Sequence, residues 1–165
     1  MIQDLEWWLL QTTTKIKEVL NDKCCALSEL KKADDIRLGL PEIELEKFND
    51  CAYYYQDFGI ESIEFGCFVL FKWGTVIDVT SGGESSETVS LVTTIYIPDD
   101  FGTDSELQAR KVLRYRRALK SSLTEAYRKY SHHDFKMISL PDGLFEHGGV
   151  SYWGIPIVSE WVFAG

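Results

Sequence analysis

The chain has 165 residues, 45% of them hydrophobic and 26% charged, with a formal net charge of −9. Such a length and balance predict one domain, residues 1–165, with its own core, and exclude general disorder. The acidic balance argues against sequence-specific contact with nucleic acid, and without an apolar run of about 18 residues no membrane span is expected.

Residues 2–22 predict a helix. Ile2, Leu5, Leu9, Ile16, Val19 and Leu20 recur at helical spacing, with Lys15, Lys17 and Glu18 on the other side. Trp7 and Trp8 are adjacent and straddle the edge of this stripe, so one of them is expected outside the core. The opening MIQDLEWWLLQTTTK has no basic leader and no small-residue cleavage site, so it is not expected to be a signal peptide. A break at Asn21–Asp22 and a short second helical piece over 26–32 are expected next. Residues 33–48 contain Gly39 and Pro41 and alternate at Ile43 and Leu45. They predict a loop feeding a short edge strand. Cys24, Cys25, Cys51 and Cys67 match no zinc spacing, and the adjacent pair Cys24–Cys25 cannot easily bridge. Reduced, mostly buried thiols of a protein made in cytosol are expected.

Residues 51–58 are tyrosine-rich, and 62–73 read as a strand. Phe65, Cys67, Val69, Phe71 and Trp73 share one face, with Phe68 and Leu70 on the other, so both faces are expected to be covered. The strand continues over 75–80 after Gly74. The polar stretch SGGESSE, 81–87, predicts a flexible hairpin tip. The return strand, 88–98, aligns Val89, Leu91, Thr93, Ile95 and Ile97, which completes a long β-hairpin. Asp104 or Ser105 can cap a second helix over 105–130. Its apolar stripe is Val112, Tyr115, Leu119, Leu123, Ala126 and Tyr130, and Arg110, Arg114, Arg117 and Arg128 fall opposite. Strand signals follow at 135–140 and at 150–163, the latter interrupted near Gly154–Pro156, with the loop PDGLFEHGG between them. The order predicts an α+β fold: a mostly antiparallel sheet with a long β-hairpin, packed against two helices.

Chemistry-bearing clusters are sparse. His132, His133 and Asp134 lack further ligands at metal spacing and suit a solvated helix end. Glu146–His147 lies in a turn. Ser81-Gly82-Gly83 does not open a helix, as a phosphate loop must. Asp99, Asp100 and Asp104 read as turn and capping acids, and Cys24 or Cys51 as ordinary thiols. No catalytic, cofactor-binding or metal-binding residue is predicted, and the chain is not expected to be an enzyme.

The second helix is different. Its window 105–130 holds eight basic and two acidic residues, a formal +6 that leaves −15 on the other 139. With so few acids of its own, the helix cannot neutralise itself by i, i+4 pairing. Such a split favours contact with acidic surfaces, within the protein or on a neighbouring copy; Arg110, Arg114, Arg117 and Arg128 are expected on an outer, partner-binding face, with the first three on acidic groups of an adjacent subunit. Ser81, Gly82, Gly83 and Glu84 at the hairpin tip are expected to order against a neighbour.

The strand TTIYIPDD (93–100), a short spacer and a helix carrying YRRAL (115–119) resemble the central part of the tail terminator proteins of long-tailed bacteriophages. The N-terminal amphipathic helix and a terminal strand ending near WVF fit the same layout. The resemblance implies a non-enzymatic virion protein, assembled in the host cytoplasm, that forms a hexameric ring from subunits with a long hairpin and a two-helix-plus-sheet core. Its partners would be other copies, the tail tube protein and the head connector or neck protein; no cofactor is implied. The alternative reading is a small acidic cytosolic inhibitor of immunity type that binds a basic toxin.

Overall fold

The computed structural model describes residues 4–57, 66–99, 104–130 and 135–164. Phe65, Asp100, His132, His133 and Asp134 lie outside the described residues. The first helix, α1, runs over Leu5–Arg37 as one unbroken element of 33 residues. Asp4 caps it by accepting the Trp7 N–H at 2.9 Å. Trp8, Thr12, Ile16, Leu20, Cys24 and Leu27 recur every three or four positions and are buried. The expected break at Asn21–Asp22 does not occur. Asn21 stays helical because its amide closes two bonds with Phe48, donating to the carbonyl at 2.9 Å and accepting the N–H at 2.7 Å. The helix stops at Gly39, whose φ of 66° suits a glycine. Its N–H bonds Ile36 O at 3.1 Å, and the Leu40 N–H bonds Asp35 O at 2.9 Å, the two bonds of a Schellman end.

The segment 38–50 forms no strand, which corrects the expected edge strand. Its alternation is real: Ile43, Leu45 and Phe48 are buried and Glu42, Glu44 and Glu46 are exposed. Its backbone, however, bonds helix side chains rather than a neighbouring strand. The Leu45 N–H meets Ser28 Oγ at 3.2 Å and the Glu46 N–H meets Tyr115 Oη at 2.8 Å. It is a strap laid across both helices.

The remaining elements are β1 (Tyr53–Tyr55), β2 (Phe68–Ser81), β3 (Glu84–Pro98), α2 (Ser105–Tyr130), β4 (Phe135–Ser139), β5 (Gly143–His147) and β6 (Val150–Ala164). The sheet order is β1-β2-β3-β6-β4, with β5 also paired to β6. Every pairing is antiparallel except β1 with β2. The fold is thus α+β, with a long hairpin and two helices against a mostly antiparallel sheet.

The strand expected over 62–73 begins only at Phe68, with Cys67 outside it and residues 62–65 outside the described residues. Three further strand expectations are corrected. The tip is a two-residue turn, Gly82-Gly83 with φ of 61° and 84°, and Ser81 pairs directly with Glu84. The polar stretch 84–87 belongs to the ladder: residues 84–87 pair with β2, and Ser86 and Glu87 also pair with β6. Hydrogen bonding to two neighbouring strands accounts for strand structure in a sequence with no apolar residue. Second, β6 runs unbroken through Pro156. Pro156 O accepts from Leu140 N, so the missing proline N–H lies on the side where β4 has ended and β5 has not begun. Third, part of the loop PDGLFEHGG is strand β5, joined to β6 by the turn Gly148-Gly149.

A Cβ at Gly82 or Gly83 would meet nothing within 4 Å, so only backbone strain opposes a side chain there. Gly82→Val and Gly83→Val are each expected to cost about 1–2 kcal/mol. Gly83→Asn should cost less, because asparagine tolerates a positive φ. Urea unfolding of the three variants checks this; equal losses for valine and asparagine at residue 83 would contradict the turn.

Both helices pack on one face of the sheet. Val69, Phe71, Val89, Leu91, Ile95 and Ile97 form one buried cluster with Val112, Leu119 and Leu123, as the stripes predict. Trp8 is buried and Trp7 only partly so. The Trp8 and Trp161 rings meet edge-on at 4.9 Å. On the opposite face Phe68 and Tyr152 are also buried, with Tyr96 stacked on Phe68 at 4.7 Å. No helix among the described residues is long and apolar enough to cross a membrane.

Candidate functional site

The two helices run antiparallel, which brings the end of α1 to the first half of α2. At one end of the pair, Glu125 meets Lys23 at 3.2 Å and Lys15 at 3.7 Å. At the other, Asp35 meets Arg110 and Arg114. Asp35 is 3% exposed. Its Oδ1 accepts from Arg110 Nη2 at 2.8 Å and from Arg114 Nη2 at 2.6 Å. Its Oδ2 is buried and has no hydrogen-bond partner among the described residues. The hydrogen bond from Arg114 is the largest influence that holds this carboxyl below its ordinary range; burial opposes it, and the charges of both arginines add to it.

This geometry corrects the expected outer arginine face. Arg114 is only 8% exposed, and its Nη1 also reaches Ile43 O at 3.4 Å. Arg110 reaches Pro41 O at 3.3 Å. The physical reason is the length of α1: its last turns overlap α2 and cover a face that a helical wheel alone leaves to solvent. Arg117 and Arg128 are exposed. Eleven residues separate them, roughly 16 Å along the axis, so Arg128 is not part of the Asp35 cluster. Two further cations of α2 are engaged within the chain, Lys111 with Glu46 at 3.7 Å and Arg116 with Asp142.

Two cavities flank Asp35. One, about 400 Å³, lies between the end of α1 and α2 and carries Lys31, Arg37, Arg110, Arg114 and Arg117 against Asp34 and Asp35. Leu38, Leu40 and Leu113 supply its apolar wall. The other, about 410 Å³, is acidic: Glu29, Glu42, Glu44 and Glu46 line it with Lys32 and Lys47. The residues that sequence reasoning missed are Asp35, Lys31, Arg37 and the two leucines of the strap start. A signal existed for Asp35, which lies eight residues after Leu27, in phase with the buried stripe of α1.

The other candidates separate. The tip residues Ser81, Gly82, Gly83 and Glu84 lie beyond Val89 and Trp161, the end of the sheet against which Trp8 and Tyr127 pack. That is the end remote from Asp35. The glycine pair joins two strands and opens no helix, so it has no phosphate-loop geometry. Glu146 and His147 are successive strand residues and point to opposite faces, so they do not form an acid–base pair. Asp104 caps α2 through the Leu107 N–H at 3.0 Å. Burial pushes the Cys24 and Cys67 thiols up to about 12, so both stay protonated at neutral pH. Cys51 is exposed. Among the described residues no group of three His, Cys, Asp or Glu side chains is placed to hold a metal ion.

No protein-family model matches the chain, and no curated protein matches it in sequence.

Proposed function

We propose that the chain is a structural protein of a long-tailed bacteriophage, forming a ring of six copies that closes the tail tube and joins it to the head connector. The observation that carries this reading is the placement of the resembling motifs. TTIYIP closes β3, and YRRAL sits in the middle of α2, one short connection later. Around them lie a hairpin with strands of 14 and 15 residues and two helices on one sheet face, the layout that the resemblance implies. The sheet order adds support. It leaves β1 with the far half of β2 at one border and β4 with β5 at the other. A closed ring joins two different surfaces of the same chain, and opposite sheet borders supply such a pair. The exposed cations Lys120 and Arg128 and the exposed strap acids Glu42 and Glu44 supply opposite charges for the same purpose.

The exposed acids of the strap also favour a second reading, an inhibitor that binds a basic partner one-to-one. Sedimentation velocity across protein and salt concentration separates the two. The ring reading expects a single closed oligomer that weakens in the double variant Lys120→Glu, Arg128→Glu, with circular dichroism unchanged. A monomer that binds a basic protein in one-to-one ratio would favour the inhibitor.

A further inference from the structure

We infer that the basic cleft between the end of α1 and the first half of α2 is a docking site for an acidic peptide segment of a partner protein, one with an apolar side chain beside its carboxylate. The inference goes beyond the ring reading and does not depend on it. Five cationic side chains line the cleft against two carboxylates. Asp34 is engaged by Arg37 at 3.2 Å, and the single Asp35 oxygen is shared by Arg110 and Arg114. One negative charge thus faces two guanidiniums, with Arg117 and Lys31 at hand and no further acid in the lining. Arg114 is more than nine-tenths buried, and a cation so placed is stable only when fully compensated. A carboxylate supplied from outside would complete that balance. The two guanidiniums are already fixed by Asp35, Pro41 O and Ile43 O, so little rotamer freedom is lost when it binds.

The rim selects a peptide over a simple anion. Leu113 is 63% exposed and Leu38 60%, both on the cleft wall. Because both line one cleft, an apolar side chain bound there would remove them from water together. A sugar-phosphate backbone has no use for these leucines. An extended acidic segment satisfies both halves, with its carboxylate on the guanidiniums and its neighbouring apolar side chain on Leu38 and Leu113.

The test is fluorescence anisotropy with a fluorescein-labelled hexapeptide of alternating Leu and Glu, on the full chain at low salt. Saturable binding is expected, weakened at least tenfold when Gln replaces Glu or Gly replaces Leu in the peptide. Arg117→Ala and Leu113→Ser, both at exposed positions, should weaken it about tenfold. Lys129→Ala, on the same helix outside the cleft, should leave it unchanged. Inorganic phosphate should compete only weakly, since it offers the oxyanion without the apolar half. Absence of saturable binding, equal binding of the Gln peptide, equal loss in Lys129→Ala, or ready displacement by phosphate would each overturn the inference. Loss of self-association in Leu113→Ser would place a second copy in the cleft and overturn the assignment to a different protein. Failure of the ring is read separately, from Lys120→Glu, Arg128→Glu.

Discussion

Replacing Asp35 with alanine is expected to destabilise the fold by about 3 kcal/mol, the low end of the range for breaking a buried ion pair. The loss arises because Arg114, buried and bound through Asp35 Oδ1, is left as an uncompensated cation, with Arg110 beside it. The low end applies because cavities flank the carboxylate on two sides and let solvent screen what remains. The same residue gives the fold an acid sensitivity of defined sign. Its folded pKa lies below the ordinary value near 3.8, so above that value both states are ionised and the stabilisation is complete. As pH falls through 3.8 toward the lower folded value, the unfolded chain takes up the proton first and stability is lost. Urea unfolding from pH 7 down to about 2.5 should therefore show a steeper acid loss in the wild type than in Asp35→Asn. Glu125, held low chiefly by the hydrogen bond from Lys23, contributes the same acid slope to both proteins and cancels in the comparison. Parallel profiles, or an alanine variant as stable as wild type at neutral pH, would show that the cluster carries no stability.

Leu119→Ala is expected to cost about 2–5 kcal/mol, because the side chain is fully buried where α2 meets the sheet and the site can only partly collapse. Leu113→Ala serves as the internal control. It removes the same atoms from the same helix at an exposed position and should shift stability by less than about 0.5 kcal/mol. Chemical denaturation of the two variants compares them directly. A loss below about 1 kcal/mol for Leu119→Ala would mean that α2 packs with a different phase.

Elements whose pairing and burial are local were readable in the sequence. The α2 stripe, the β2–β3 ladder and their shared cluster follow from period 3.6 and period 2 patterns, and Asp104 was readable as a cap. What could not be read depends on distant partners. Asn21 looks like a helix end until Phe48 bonds its amide. Ile43 and Leu45 alternate like a strand, yet their neighbours are Ser28 and Tyr115 rather than another strand. Pro156 looks like an interruption unless one knows that β4 and β5 leave a gap beside it. The arginine cluster is the sharpest case. The wheel correctly put Arg110 and Arg114 away from the sheet, but it could not show that Asp35, some 75 and 79 residues earlier in the chain, would reach them. A charge surplus on one helix is therefore divided between internal pairing and whatever lies exposed, and only the second part is offered to a partner.

The most direct measurement of the assembly proposal is electron microscopy of the purified chain, alone and mixed with tail tubes. The ring reading expects class averages of a closed particle with sixfold symmetry and a central opening, free in solution or seated on tube ends. Particles of single chains in both samples, with tube ends left bare, would contradict it.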